Sequence, residues 1–167
     1  FAAQREAFVA AVGRAPQFVD GHQHVHHLPV VRDVVLRGIA ADATPVRNTG
    51  RVVGPGFAVK RALIAGTGGR TLARELAQRG IPHNRVLLGV YDFVPGGYRG
   101  FMQAWLAAAP ANGGLLFCHP GDADRSGVPD AIAAARIAEA DHLGSDAFAD
   151  DLAAANVQLG RAWARLT

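Results

Sequence analysis

Short apolar runs alternate with helical patterns along this chain of 167 residues. The pattern predicts helices over 57–65 and 71–79, a buried strand over 86–91, a helix over 98–108 and a second strand over 115–118. Strands separated by helices are typical of a mostly parallel sheet covered by helices. Because ligands bind beyond the carboxyl ends of the strands in such folds, we predict an α/β fold with its site at that edge.

The composition indicates one cytoplasmic domain. Half of the residues are hydrophobic and we find no repeat, linker or low-complexity tail, so we predict a single domain over residues 1–167. The net charge of +3 comes from scattered arginines, which argues against a nucleic-acid partner. The single cysteine, Cys118, excludes an internal disulfide, and no apolar run is long enough to span a membrane. A reducing cytoplasm fits these features best.

The chain begins inside a helical pattern. Phe1, Phe8, Val9 and Val12 recur at helical spacing, and Gly13 ends the run. The first residue is not methionine. We therefore expect the chain to be a fragment, with further sequence before this helix.

Residues 20–29 hold four of the seven histidines and one carboxylate. If 17–26 is a β-strand, side chains alternate between its faces, and Asp20, His22, His24 and His26 share one face. A row of neutral imidazoles headed by a carboxylate suits a borderline divalent ion such as Zn²⁺. The alternative is a polar edge strand with solvated histidines. We predict a metal site here, with Pro29 opening the helix that follows.

Polar residues also stand at the ends of the other predicted strands. Arg47 ends a short strand candidate over 44–47, Asp92 follows the strand over 86–91, and His119 follows the strand over 115–118. An exposed Arg47 and a loop-capping His119 are the alternatives. Because carboxyl ends of parallel strands meet at one edge, we expect these side chains to converge with the histidines.

The same residues resemble a known family. The segments that carry the resemblance are spread along the chain: Gln4 and Phe8, Asp20-Gly21-His22-Gln23-His24-Val25-His26 with Leu28-Pro29, Gly89-Val90-Tyr91-Asp92, Cys118-His119-Pro120-Gly121, and Arg136, Glu139 and Leu143. The chain resembles the YdjC-like carbohydrate deacetylases, which include chitooligosaccharide deacetylases and hopanoid-biosynthesis-associated relatives. The resemblance implies a distorted (β/α) barrel related to polysaccharide deacetylases. It also implies that a divalent metal ion, Mg²⁺ or Zn²⁺, is used to remove an acetyl group from an N-acetylated saccharide or glycolipid.

By position, the resemblance places a metal-binding histidine at His22, with His24 beside it. The family's other two ligands come from an N-terminal Ala-Asp-Asp motif and from a Gly-x-His segment, and this sequence has no Ala-Asp-Asp motif in its N-terminal part and no Gly-x-His segment. We therefore expect a barrel that lacks its N-terminal part. A sheet cut along one edge exposes apolar surface, so we expect the chain to form a homo-oligomer or to aggregate.

The resemblance also suggests roles for the remaining polar residues. His119 is the candidate general acid, because an imidazole titrates near neutral pH. Asp20 is placed to orient a ligand imidazole, or it is a structural carboxylate that accepts backbone hydrogen bonds. Arg47, Tyr91 and Asp92 are the candidate substrate contacts.

Two other functions stay open at this point. A metal-dependent phosphoesterase also uses His-x-His ligands on a strand, but the sequence has no Lys/Arg cluster or glycine loop after a strand to hold phosphate. The glycine-rich segment 66–69 follows a helix, so it indicates a helix break. The third possibility is a non-catalytic metal-binding module, which the density of histidines favours.

Overall fold

The computed structural model describes residues 1–122, 129–161 and 163. Within them, helices and strands follow one another in this order: α1 (Ala2–Val12), α2 (Pro29–Gly38), α3 (Ala58–Ile64), α4 (Arg70–Gln78), β1 (Val86–Leu88), α5 (Tyr98–Ala108), β2 (Gly114–Leu116), α6 (Ala133–Leu143) and α7 (Asp146–Ala154). A 3₁₀ segment, His22–His27, precedes α2, and a π-helical turn, Ala65–Gly69, joins α3 to α4. In this part of the chain, no helix has the length and apolar character needed to cross a bilayer.

The two strands are parallel, with Leu87 opposite Leu115. Further extended segments lie beside them through single parallel bridges: Val19 to Val46, Val46 to His83, and Val52 to Leu87. Four extended segments therefore lie side by side in chain order, which confirms the prediction of a mixed helix and parallel-strand fold. Only β1 and β2 form a continuous ladder among the described residues, so the closed barrel stays a prediction.

Most predicted helices are confirmed. Helix α5 has the predicted bounds, α1 ends at Gly13 in the left-handed conformation, and Pro29 occupies the first turn of α2. The predicted break over 66–69 is the π-helical turn, through which the chain continues into α4. Gly68 in this turn has φ of 153°, and a Cβ at this position would overlap the carbonyl oxygen of His27. The glycine therefore lets the turn pack closely against the histidine segment.

Two apolar clusters hold the extended segments in place. One packs α5 against β1 and α6, and its buried members are Val86, Leu88, Tyr91, Tyr98, Met102, Trp105, Leu106 and Ala135. The other packs α2 and α4 against the second extended segment, with Val35, Leu36, Ile39, Val46, Leu72, Leu76 and Ile81 buried. Each fully buried side chain of this size contributes about 2 kcal/mol, so the carboxyl ends of the segments are firmly positioned.

A reciprocal pair of buried asparagines joins the second and third extended segments. Asn84 Oδ1 accepts a hydrogen bond from the Asn48 N–H at 2.7 Å, and Asn84 Nδ2 donates to the carbonyl oxygens of Asn48 and Val86, each at 2.9 Å. Asn48 Nδ2 in turn donates to the Asn84 carbonyl oxygen at 3.1 Å. Because Asn48 follows Arg47, this pair fixes the segment that carries the arginine.

The predicted strand over 17–26 is wrong. Only Val19 makes a strand-like bridge, and the chain turns into the 3₁₀ segment at His22. Gln23 and His24 have positive φ values of 49° and 65°, so period-two alternation does not apply to them. The segment lacks alternating apolar residues that would hold it on a sheet. Instead, His26 and His27 turn inward and are buried.

Large apolar side chains are exposed on α2 and α3. Val30 is 77% exposed, Val59 is 75% exposed and Leu63 is 60% exposed. The expected homo-oligomer stays a prediction that this surface makes reasonable.

Candidate functional site

A cleft of about 480 Å³ lies where the extended segments end. Its walls come from the histidine segment, the second extended segment, α3 and the residues that follow β1 and β2. Six residues predicted from the sequence line it together: Asp20, His22, His24, Arg47, Tyr91 and His119. Asp92 does not line this cleft. It is exposed, and its Oδ1 accepts a hydrogen bond from the Val94 N–H at 3.2 Å.

Arg47 is the cation at the centre of one wall. Its Nη2 lies 2.7 Å from Asp20 Oδ1, 3.0 Å from His24 Nδ1 and 3.0 Å from the Gly21 carbonyl oxygen. A guanidinium group only donates hydrogen bonds, so His24 Nδ1 is an unprotonated acceptor. Burial and the nearby Arg47 charge lower the pKa of His24 to about 3. His24 is therefore neutral at physiological pH.

Asp20 pairs with Arg47 and not with a ligand imidazole. Burial raises the pKa of Asp20, and the opposing attraction of Arg47 does not fully offset this effect. The imidazole nitrogen His26 Nδ1 lies 3.9 Å from Asp20 Oδ1. The predicted role of Asp20 in orienting a ligand imidazole stays a prediction, and the contact that the structure shows is with Arg47.

His26 and His27 support the structure of this wall. His26 Nδ1 accepts a hydrogen bond from the Gly21 N–H at 3.1 Å, and its Nε2 donates to the Arg47 carbonyl oxygen at 2.7 Å. His27 Nε2 lies 3.1 Å from the Thr67 hydroxyl, which itself donates to a backbone carbonyl, and Nδ1 lies 2.8 Å from the Thr49 hydroxyl. Burial lowers the pKa of each histidine to about 4, so both are neutral hydrogen-bonding groups.

His119 lies across the cleft at the end of β2. The rings of Phe93 and Phe117 meet its imidazole edge to face, with centroids 5.1 Å and 5.4 Å away. Its backbone N–H donates to the buried carboxylate of Glu139 on α6, and its carbonyl oxygen accepts a hydrogen bond from Arg136 at 3.2 Å. Helix α6 therefore positions the segment that carries the candidate general acid.

Tyr91 contributes to the same arrangement from the end of β1. Its hydroxyl donates to Glu139 Oε1 at 2.5 Å, and only 2% of the residue is exposed. Burial and the contact with Glu139 raise the pKa of Tyr91, which keeps the hydroxyl protonated. A substrate contact by Tyr91 would therefore have to use its backbone or ring, because its hydroxyl is already bound.

The residues that are present do not fit a complete metal site. Among residues 1–122, 129–161 and 163, no group of three or more His, Cys, Asp and Glu side chains is placed to hold a metal ion. His22 is exposed, while His24 gives its Nδ1 to Arg47. The Arg47 guanidinium contacts both Asp20 and His24, so it supplies the positive charge between them. The predicted ligands His22 and His24 stay predictions.

Sequence reasoning missed two charged residues of this site. Lys60 on α3 lines the cleft, where its Nζ donates to the Tyr91 carbonyl oxygen at 2.8 Å and lies 4.9 Å from the centre of the Phe93 ring. Glu139 on α6 is 0% exposed and accepts hydrogen bonds from the Tyr91 hydroxyl and the His119 backbone N–H. The available signal was the apolar run of alanines around Glu139, which is typical of a packed helix face.

Comparison with known proteins adds one finding. A sequence model of the YdjC-like protein family matches residues 1–154, a range that includes every segment lining the cleft. Comparison with curated proteins gave no match, and comparison with solved structures gave none. The matching family is generally related to carbohydrate deacetylases. The resemblance seen in the sequence is therefore confirmed, and the chain belongs to the YdjC-like protein family.

Proposed function

We propose that this protein is a hydrolase that removes an acetyl group from an N-acetylated sugar or sugar lipid. The observation that carries the proposal is the convergence of Asp20, His24, Arg47 and His119 on one cleft at the carboxyl ends of parallel segments. Family membership supports a carbohydrate deacetylase-like activity. Metal dependence comes from the resemblance alone, because the described residues do not form a ligand set.

The walls of the cleft suit a sugar ring. Phe93 and Phe117 offer aromatic surface on either side of His119, and aromatic rings with a few placed polar groups are typical of small-molecule sites. Lys60 has N–H groups beyond the one that it donates to the Tyr91 carbonyl oxygen. The cleft therefore combines apolar contact with donors for the hydroxyl or acetyl oxygens of a saccharide.

His119 has the position of a general acid in this proposal. Breaking the amide bond requires a proton on the leaving amine, and a placed imidazole supplies one in many hydrolases. The His119 side chain is 30% exposed at the cleft, while its Nδ1 is buried against Glu139. Arg47 and Lys60 are the cations available to stabilise negative charge that develops on the acetyl oxygen.

The test is acetate release from N-acetylglucosamine oligomers. The protein is assayed after chelation and then with added Mg²⁺ or Zn²⁺, which examines metal dependence separately from activity. We expect His119→Gln to lower kcat by about 10²–10⁴-fold, as loss of a general acid does. His83→Gln is the matched control, because His83 lies outside the cleft-lining set and bonds the Ile81 carbonyl oxygen. Absence of acetate under every metal condition would contradict the proposal.

A phosphoesterase is the second candidate. Arg47 and Lys60, which are distant in sequence, both line the cleft, so the protein has two cations where the sequence showed no cluster. Arg47 is paired with Asp20, however, which reduces its charge toward a phosphate. Release of phosphate from sugar phosphates, without acetate from acetylated sugars, would favour this candidate over a deacetylase.

A further inference from the structure

Glu139 is the buried carboxylate nearest to the candidate general acid. It lies on α6, is 0% exposed, and accepts hydrogen bonds from the Tyr91 hydroxyl and the His119 backbone N–H. His119 Nδ1 is buried, has no hydrogen-bond partner among the described residues, and lies 3.9 Å from Glu139 Oε1. A buried polar nitrogen without a hydrogen bond carries a desolvation cost. A small rotation of the imidazole ring that joins Nδ1 to the Glu139 carboxylate is therefore favourable.

We propose that Glu139 is a positioning residue for His119, holding a proton on Nδ1 so that Nε2 faces the cleft. A carboxylate partner selects the tautomer of a neutral imidazole and stabilises the imidazolium form. Because Nδ1 is buried, the exposed part of the ring belongs to its other atoms. The assignment of Nε2 to proton transfer rests on the proposed function, whereas the contact with Glu139 does not.

The other described side chains that contact His119 or its neighbours in the cleft wall are cationic or neutral. On α6, Arg136 donates to the His119 carbonyl oxygen. From the end of β1, the neutral Tyr91 hydroxyl donates to the same Glu139 carboxylate. From α3, Lys60 Nζ lies over the Phe93 ring. The neighbouring Cys118 is a thiol, and the two phenylalanine rings are uncharged. Of the contacts described above for His119, the one with Glu139 brings a negative charge to the imidazole.

The anionic form of Glu139 is favoured in spite of its burial. Burial raises the pKa of this carboxyl, but its contacts with the His119 side chain, the Tyr91 hydroxyl and the His119 backbone N–H lower it by more. The net direction is a pKa below the ordinary value for glutamate. Glu139 is thus charged over the pH range in which an imidazole titrates.

Nuclear magnetic resonance on the full chain with labelled histidine tests this directly. In the unsubstituted protein, the neutral His119 ring should carry its proton on Nδ1. In Glu139→Gln, which keeps the side-chain shape and removes the charge, the midpoint of the His119 titration should fall by about one pH unit, since an opposite charge this close shifts an imidazole by roughly that amount or more. Glu139→Asp keeps the charge and should recover much of the shift. Glu75→Gln is the control, because it removes a carboxylate of α4 that is paired with Arg79.

The outcomes separate the two proposals. A proton on Nε2 of the neutral ring, or a His119 midpoint that is equal or higher in Glu139→Gln, would overturn the role of Glu139. If Glu139→Gln does not fold, the tautomer in the unsubstituted protein still decides. If acetate is released, the alkaline limb of the plot of kcat against pH should move to lower pH in Glu139→Gln, together with the midpoint of the His119 titration. If no acetate is released by any form, the proposed function fails, while the tautomer and the midpoint still test Glu139.

Discussion

Replacing Asn84 by alanine should cost the protein a large part of its stability. Asn84 is 0% exposed, and the substitution removes the partner of the Asn48 N–H and of the carbonyl oxygens of Asn48 and Val86. A buried donor left unpaired costs about 1–3 kcal/mol, and each of the two carbonyl bonds contributes about 1 kcal/mol. The expected loss in the free energy of unfolding is about 3–5 kcal/mol, against a total of about 5–15 kcal/mol for a typical domain.

Urea denaturation followed by circular dichroism measures this loss. With an m-value of about 2 kcal/mol/M, the midpoint of Asn84→Ala should fall by about 2 M. Asn112→Ala is the control, because Asn112 is exposed and should change stability by less than about 0.5 kcal/mol. Asn84→Asp keeps the acceptor for the Asn48 N–H but loses both donations, so it should also be destabilised at neutral pH. A midpoint for Asn84→Ala equal to that of Asn112→Ala would refute the reasoning.

Two further predictions concern a glycine and the histidines. Gly89→Ala should destabilise the protein by about 2–3 kcal/mol, because its φ is 108° and a Cβ would overlap the Phe117 carbonyl oxygen. Gly100 is exposed on α5 with open space around it, so Gly100→Ala should stabilise the protein by up to about 1 kcal/mol. Thermal melting of both variants checks the difference. The pKa of His26 is about 4 in the folded protein, against an ordinary value of 6.5 for histidine. Between these two pH values, His26 therefore gains a proton when the protein unfolds. In chelator-treated protein, the free energy of unfolding should therefore decrease as pH falls from 6.5 toward 4, and His26→Gln should reduce the slope by up to about 1.4 kcal/mol per pH unit. A slope unchanged by His26→Gln would show that this histidine is not kept neutral by burial.

The helices were predictable because their apolar spacing and terminal signals agree. Helix α5 was predicted with its observed bounds, and Gly13 and Pro29 mark helix ends as expected. The strands predicted over 86–91 and 115–118 were found near those positions, although β1 and β2 are only three residues long, whereas the strand predicted over 17–26 was wrong. Short strands are fixed by tertiary contacts such as the Asn48–Asn84 pair, which local patterns do not reveal.

The site was predictable where it depends on topology and unpredictable where it depends on packing. Arg47 and His119 were expected to meet the histidine segment because they follow parallel segments, and the cleft brings them together. Asp92 also follows a parallel strand and was expected to meet the histidine segment, but its side chain is exposed where the chain leaves the strand. Lys60 reaches the cleft from α3 and Glu139 contacts His119 from α6, and no spacing in the sequence links these helix residues to the strand ends.

The histidine segment illustrates why the number of imidazoles is a poor guide to the number of metal ligands. His26 and His27 use both ring nitrogens in buried hydrogen bonds, and His24 gives Nδ1 to Arg47. The bond from the Gly21 N–H to His26 Nδ1 and the bond from Arg47 to His24 Nδ1 each require an unprotonated ring nitrogen. The His26 bond to the Arg47 carbonyl and the His24 bond to the Arg47 guanidinium hold the same arginine at its backbone and at its tip. His24 and His26 therefore contribute to burying and orienting one cation, which lines the same cleft as His119.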